Sequence, residues 1–200
     1  MSGRDEPKSG GKVREQSAAY NETGTTGRIP MIENRYEIVD GVRYECSPSP
    51  TVNHQLLVTG ISQSIYLTCA SRGTVLVAPV DVYFDEDNIY QPDVICISHD
   101  NAHIIKTARI EGAPDLVVEI LSPSTSANDK IRKKANYARF GVKEYWIADP
   151  VHRTIDQFIL EGNTFGLYGT YSPQDVLTSP RFSCIGVDLH SLFRNLRADD

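Results

Sequence analysis

The sequence predicts a mixed α/β (α+β) fold: a mixed central β-sheet flanked by helices, with an antiparallel hairpin at its start and another at its end. Three observations carry this. β-branched runs recur from Tyr36 to Tyr171, and two stretches of helical spacing interrupt them. The second helical stretch lies between the apolar runs PDLVVEIL and KEYWIADP, the strand, helix, strand order of a crossover unit.

A chain of 200 residues suits one ordinary domain with a tail, and it can bury one core without disulfides or a structural metal. Hydrophobic residues make up 40% and charged residues 23%, as in globular proteins, and no apolar run approaches the ~20 residues that span a bilayer. Arg4, Asp5, Glu6 and Lys8 have no apolar stretch behind them, so neither a secretory signal nor a membrane anchor is visible, and the expected location is cytoplasmic. Residues 1–30 are nearly empty of large aliphatics; such a segment cannot repay its ordering entropy, and it is read as a disordered tail before a single domain over 31–200. Cys46, Cys69, Cys96 and Cys184 lie far apart with no CxxC pair, which predicts buried free thiols. The net charge of −6 disfavours broad attraction to nucleic acid, so any such role must rest on a local site.

In order along the chain, YEIVDGVRYEC sets Asp40-Gly41 between alternating runs, the pattern of a tight hairpin. SPSPTVN supplies turn and cap residues for a helix bearing Leu57, Val58, Ile61, Ile65 and Cys69, with Gly73 as its stop. VLVAPVDVYFD and IYQPDVICIS read as two β-rich runs, and PDLVVEIL, dense in Val and Ile, as a central strand covered on both faces. SPSTSAND caps a second helix running to about Phe140, on which Asp129, Lys133 and Tyr137 share a face at i, i+4 and i+8. KEYWIADP follows Gly141 as a strand, parallel to PDLVVEIL across a right-handed crossover. TIDQFILEG and NTFGLYGTY form the closing hairpin, and no internal repeat is visible.

Asp93, directly after Pro92, and Glu119, inside LVVEIL, are carboxylates within apolar strands. Burying an unpaired charge costs several kcal/mol, and two such acids repel unless a cation neutralises them. Hard oxygen ligands of this kind point to Mg²⁺ or Mn²⁺; two strand-end acids, each paired with a nearby Lys or Arg, are the structural alternative. Asp81, between Val80 and Val82, is a further candidate metal ligand. His54 has the near-neutral pKa that suits proton transfer or phosphate contact, against a capping or packing role. Ser122, with Ser124 and Thr125 behind it, is set to contact phosphate or to cap the helix. Lys130 belongs to DKIRKKANYARF, a locally positive helix that serves either a phosphate groove or a solvated face.

YEIVDG, SPSP before His54, APVDVYFD, QPDV, GAPDLVVEILSPST, the Asp129–Lys133–Tyr137 helix and GVKEYWIADP occur in that order. Together they closely resemble the Uma2 family, formerly a domain of unknown function, of restriction-endonuclease-like proteins. The resemblance spans Tyr36 to Phe193 and is most specific from Gly112 to Pro150. It implies a PD-(D/E)XK nuclease core in which Asp93 and Glu119 hold a divalent metal. The chain departs from that pattern at Glu119-Ile120-Leu121, where an aliphatic residue stands at the lysine position. In families of this kind the lysine can come from the following helix, which makes Lys133 the replacement, set to hold the attacking water and offset charge on the phosphate. Glu37 matches the early acid that nuclease-fold proteins often place near the metal.

The implied activity is metal-dependent endonuclease cleavage of nucleic acid, DNA in particular, by a homodimer. Two alternatives stand beside it: a catalytically inactive nuclease-fold module that binds nucleic acid or protein, and a metal-dependent hydrolase of a small phosphorylated molecule.

Overall fold

The computed structural model describes residues 35–45, 50–122 and 127–197, with the backbone alone for 127–130. The expected disordered tail, Cys46, and the capping side chains from Ser124 to Asn128 lie outside the described residues.

Strands β1 (Tyr36–Val39) and β2 (Val42–Glu45) form the first hairpin. Asp40 and Gly41 have φ of 50° and 74°, and positive φ at both central residues matches the right-handed twist of the paired strands. Helix α1 (Val52–Cys69) starts at Thr51, whose side chain accepts the His54 backbone N–H at 3.2 Å. It buries Leu57, Val58, Ile61, Ile65 and Cys69, the stripe that its spacing implies. The helix stops at Cys69, so Gly73 is not its terminator. Gly73 opens β3 (Gly73–Val77), where a Cβ would stand 2.6 Å from the Ile97 carbonyl oxygen; close strand approach is what requires glycine there.

Each of the next two β-rich runs divides at a proline, which has no N–H to carry a ladder onward. Pro79 follows β3 and precedes β4 (Val82–Asp85), while Pro92 separates β5 (Asn88–Tyr90) from β6 (Val94–Ser98). A 3₁₀ segment (His99–Ile104) and β7 (Ile110–Glu111) lead to β8 (Leu116–Ile120). Helix α2 (Ala127–Arg139) and β9 (Glu144–Asp149) complete the crossover unit, and β8 pairs with β9 in parallel as expected. The closing hairpin is β10 (Thr154–Glu161) with β11 (Thr164–Tyr171). Beyond it come β12 (Val176–Thr178), β13 (Gly186–Asp188) and α3 (Leu189–Arg194), which no sequence pattern announced.

The expected mixed central sheet is six-stranded, ordered β11-β10-β9-β8-β6-β3, with β8 and β9 parallel and the other neighbours antiparallel; a five-stranded sheet ordered β2-β1-β5-β4-β7 and the β12-β13 pair come in addition. The six-stranded sheet divides the expected single core into two. Side chains alternate across a strand, so Leu116, Val118 and Ile120 join α1 and α3 on one face, with Leu57, Ile61, Trp146 and Phe193. Val117 and its strand neighbours point the other way, into Tyr137 of α2, Val82, Tyr90 and Ile110. β8 is thus central and covered on both faces, and each of its fully buried aliphatics contributes about 1.5–3 kcal/mol.

The expectation of free thiols fails for two cysteines. Cys69, at the end of α1, and Cys184, between β12 and β13, form a disulfide with Cα atoms 5.3 Å apart across 115 residues of sequence. Local spacing carries no signal for a pairing at that separation; Cys96 remains free and buried. Among the described residues no helix is long and apolar enough to cross a membrane.

Candidate active site

The antiparallel ladder between β6 and β8 aligns Val94 with Val118, and its next step sets Asp93 against Glu119. Asp93 therefore stands where β6 begins and β8 ends. Its Oδ2 accepts the Ile120 N–H at 2.7 Å, and its Oδ1 lies 3.2 Å from His54 Nε2 on the first turn of α1. Both oxygens are engaged before any ligand arrives.

Glu119 alternates with Val118 and Ile120, so it points with Val117 toward α2. Its Oε1 accepts the Tyr137 hydroxyl at 2.7 Å and lies 3.5 Å from Lys133 Nζ. Among the described residues none donates to its second oxygen. Burial, reinforced by the negative charges of Asp93 and Glu37, pushes this carboxyl up to about 7, against the pull of Lys133 and the Tyr137 bond.

Lys133 and Tyr137 reach one carboxylate because residues four apart share a helix face. The Lys133 ammonium also lies 2.7 Å from both Glu37 oxygens. Burial alone would lower its pKa, yet Glu119 and Glu37 outweigh that and hold it above the ordinary lysine value. Glu37 Oε1 further accepts the Gln91 N–H at 2.8 Å, and the Gln91 side chain donates to Asp81 at 2.8 Å. For His54, burial works against protonation, but the bond to Asp93 and the charges of Asp93 and Glu119 win and raise its pKa. Among the described residues its buried Nδ1 has no hydrogen-bond partner.

Five of the sequence candidates thus cluster as two side-chain networks, Asp93 with His54 and Glu119 with Lys133 and Glu37, joined where Asp93 accepts the Ile120 N–H next to Glu119. Their side chains are only 11–16% exposed. Among the described residues, Asp81 reaches the cluster through Gln91. Ser122 lies two residues past β8, half-buried, and the Lys130 side chain is outside the described residues. The described basic side chains of the helix point to separate partners. Lys134 sits over the Phe158 ring at 3.4 Å, Arg139 lies 3.7 Å from Asp40, and Arg132 reaches Tyr44. Sequence reasoning gave Tyr137 and Gln91 no role; for Tyr137 the i+4 spacing from Lys133 was the available signal.

Among the described residues no three His, Cys, Asp or Glu side chains are grouped closely enough to hold a metal alone. The donors at the centre are two hard carboxylates, one with an oxygen that no described group donates to and a proton affinity raised by burial and by its acidic neighbours. That set fits a small, hard cation of the Mg²⁺ type, which uses one or two carboxylates and takes its remaining oxygens from water and substrate.

A family model described as "Uma2: Putative restriction endonuclease" matches residues 28–189. Among solved structures, that of "a putative nuclease belonging to DUF820" from Anabaena variabilis ATCC 29413 shares the fold with a TM-score of 0.67. It is 19% identical, and the match covers 83% of this chain and 93% of that one. No curated protein matches the chain.

Proposed function

The chain belongs to the Uma2 family, and from that premise we propose that it is a metal-dependent endonuclease hydrolysing phosphodiester bonds of nucleic acid, with DNA as the substrate. One observation carries the reading: Lys133 Nζ lies 3.5 Å from Glu119 although Leu121 occupies the lysine position of the ExK element. A cation delivered from α2 offsets the one missing from β8.

Asp93 and Glu119, with the backbone carbonyl at Ile120, would hold Mg²⁺ or Mn²⁺; such an ion supplies Lewis-acid activation of water and neutralises phosphate charge. The other roles belong to the chain itself. The Ile120 N–H and His54 fix both oxygens of Asp93, so its carboxylate is oriented in advance. Tyr137 donates to Glu119 and fixes its rotamer. Lys133, kept as an ammonium by its acidic neighbours, orients the attacking water and stabilises negative charge developing on the phosphate. Glu37 positions Lys133, and Asp81 holds Gln91 against Glu37. His54 and the Ser122 and Lys130 positions border the substrate. Cutting both strands of a duplex asks for two such sites, which a symmetric homodimer supplies most simply.

The test is titration of Mg²⁺ and Mn²⁺ into wild type, Asp93→Ala, Glu119→Ala and Lys133→Ala, following metal binding and cleavage of supercoiled and linear DNA. Metal-dependent cutting that all three variants lose is the expected result. Carboxylate-dependent metal binding without cutting by wild type would replace the reading with a noncatalytic or small-substrate role, and no metal binding by wild type would remove the site.

A further inference from the structure

Arg132 precedes Lys133 on α2, so its side chain emerges about 100° around the helix from the site-facing ammonium. It crosses to the first hairpin, where its Nη1 donates to the Tyr44 hydroxyl at 3.3 Å. Tyr44 is the register partner of Glu37, and paired residues project from the same face of a ladder. Arg132 and Tyr44 therefore stand beside the Glu37–Lys133 pair, on its exposed side.

Arg35, two residues before Glu37, is an exposed cation; the remaining described cations at this end have partners of their own. Lys133 is held by Glu37 and Glu119, Arg43 by Glu45 at 2.9 Å, and Arg139 lies near Asp40. Lys134 lies on the Phe158 ring. The described partner of Arg132 is a neutral hydroxyl, which leaves its charge uncancelled, and the residue is exposed. A guanidinium presents paired N–H donors that match phosphate oxygens. Tyr44 accepts from Arg132 and so keeps its own O–H to donate. On a chain of net charge −6, an uncancelled cation beside the centre adds to any local attraction for phosphate.

We propose that Arg132 and Tyr44 form a phosphate-holding subsite at the rim of the Asp93–Glu119–Lys133 centre, gripping a nucleic-acid backbone phosphate next to the one attacked. The inference rests on the nuclease reading and adds to it the direction in which the strand runs, from the centre across α2 toward β2.

The test is fluorescence anisotropy of a labelled duplex oligonucleotide over a salt series, with Ca²⁺ replacing Mg²⁺ to hold back cleavage. Wild type is compared with Arg132→Gln, Arg132→Lys, Tyr44→Phe and the charge control Arg109→Gln, whose residue pairs with Glu111 on β7. Arg132→Gln is expected to weaken binding about tenfold and to lower the salt slope by about one. Arg132→Lys should keep the slope and lose part of the affinity, Tyr44→Phe should weaken binding about twofold, and Arg109→Gln should match wild type. If wild type binds and Arg132→Gln matches it in affinity and slope, the subsite is refuted while the nuclease reading stands. If Arg109→Gln weakens binding as much as Arg132→Gln does, the effect is one of net charge and the subsite is equally refuted. If wild type binds no nucleic acid, the nuclease reading falls and takes the subsite with it.

Discussion

Lys133 and Tyr137, one turn apart on α2, converge on a single oxygen of Glu119. One brings a charge and the other a neutral donor, so their removal has separable consequences.

Replacing Lys133 with Met leaves Glu119 and Glu37 facing each other without their shared cation. Under the nuclease reading, cleavage of linear DNA should fall at least ~100-fold, the scale seen when one preorganised donor to a transition state is removed. Stability should also drop by about 3–5 kcal/mol, as when one partner leaves a buried ion pair. Lys133→Met/Glu37→Gln should recover much of the stability and none of the cleavage. Urea melts and single-turnover cleavage separate the two effects, and a double variant no more stable than the single one would contradict the pairing.

Glu119 gives a dependence on pH. Its carboxyl rises from an ordinary value of 4.5 to about 7 in the folded state, chiefly by burial. Between those values the folded chain holds a proton that the unfolded chain has released, so stability falls as pH rises through that window. Melting temperatures of metal-free protein should therefore decline between pH 4.5 and pH 7, and Glu119→Gln should flatten that part of the profile. An unchanged profile in the variant would argue against a buried acid of this kind.

Asp115 works in the opposite sense. Burial would raise its pKa, yet the hydrogen bond from Lys143 and the N–H of Ser98 outweigh it, and the carboxyl stays below the usual range. Its contribution is present above the unfolded value and lost as pH falls through the folded one. Asp115→Asn should destabilise the protein at neutral pH by roughly 1–3 kcal/mol, the penalty for disrupting a buried charged hydrogen bond. Acid titration followed by circular dichroism should show the difference from wild type shrinking toward low pH.

Reduction of Cys69–Cys184, or Cys184→Ser, should lower stability by about 2–4 kcal/mol, since the bond closes a long loop of the unfolded chain. Cys96→Ser keeps that bond and should lose as much stability on reduction as wild type does. Structural disulfides are rare where glutathione keeps thiols reduced, so mass spectrometry of alkylated protein taken directly from cells also tests the cytoplasmic expectation. A fully reduced pair supports that expectation, and an intact bond opposes it.

How much could be read without coordinates follows from the length and locality of each signal. The Asp40-Gly41 hairpin, the Leu57–Cys69 stripe and the β8–α2–β9 unit were legible because each is written in a contiguous pattern. The assignment of β3 and β4 to different sheets was not, since Pro79 marks a break without saying where the chain goes next. Strands as short as β12 and β13 show too few residues for any period. At the site, Asp93 and Glu119 stood out as acids among aliphatics. Tyr137 did not, because a tyrosine sharing a helix face with Asp129 and Lys133 names no partner until the carboxylate across from it is known. Arg132 was one charge among several until its neighbours were seen to have partners.

The five clustered side chains come from five separate stretches: Glu37 from β1, His54 from α1, Asp93 before β6, Glu119 from β8 and Lys133 from α2. The bridge between Lys133 and Glu37 alone joins residues 96 positions apart. No fragment emerging from the ribosome holds the set until α2 has been made and has docked on the sheet. Under the nuclease reading, activity would therefore be withheld from nascent and misfolded chains without any inhibitor, a built-in safeguard for a cell that must synthesise such a protein beside its own genome.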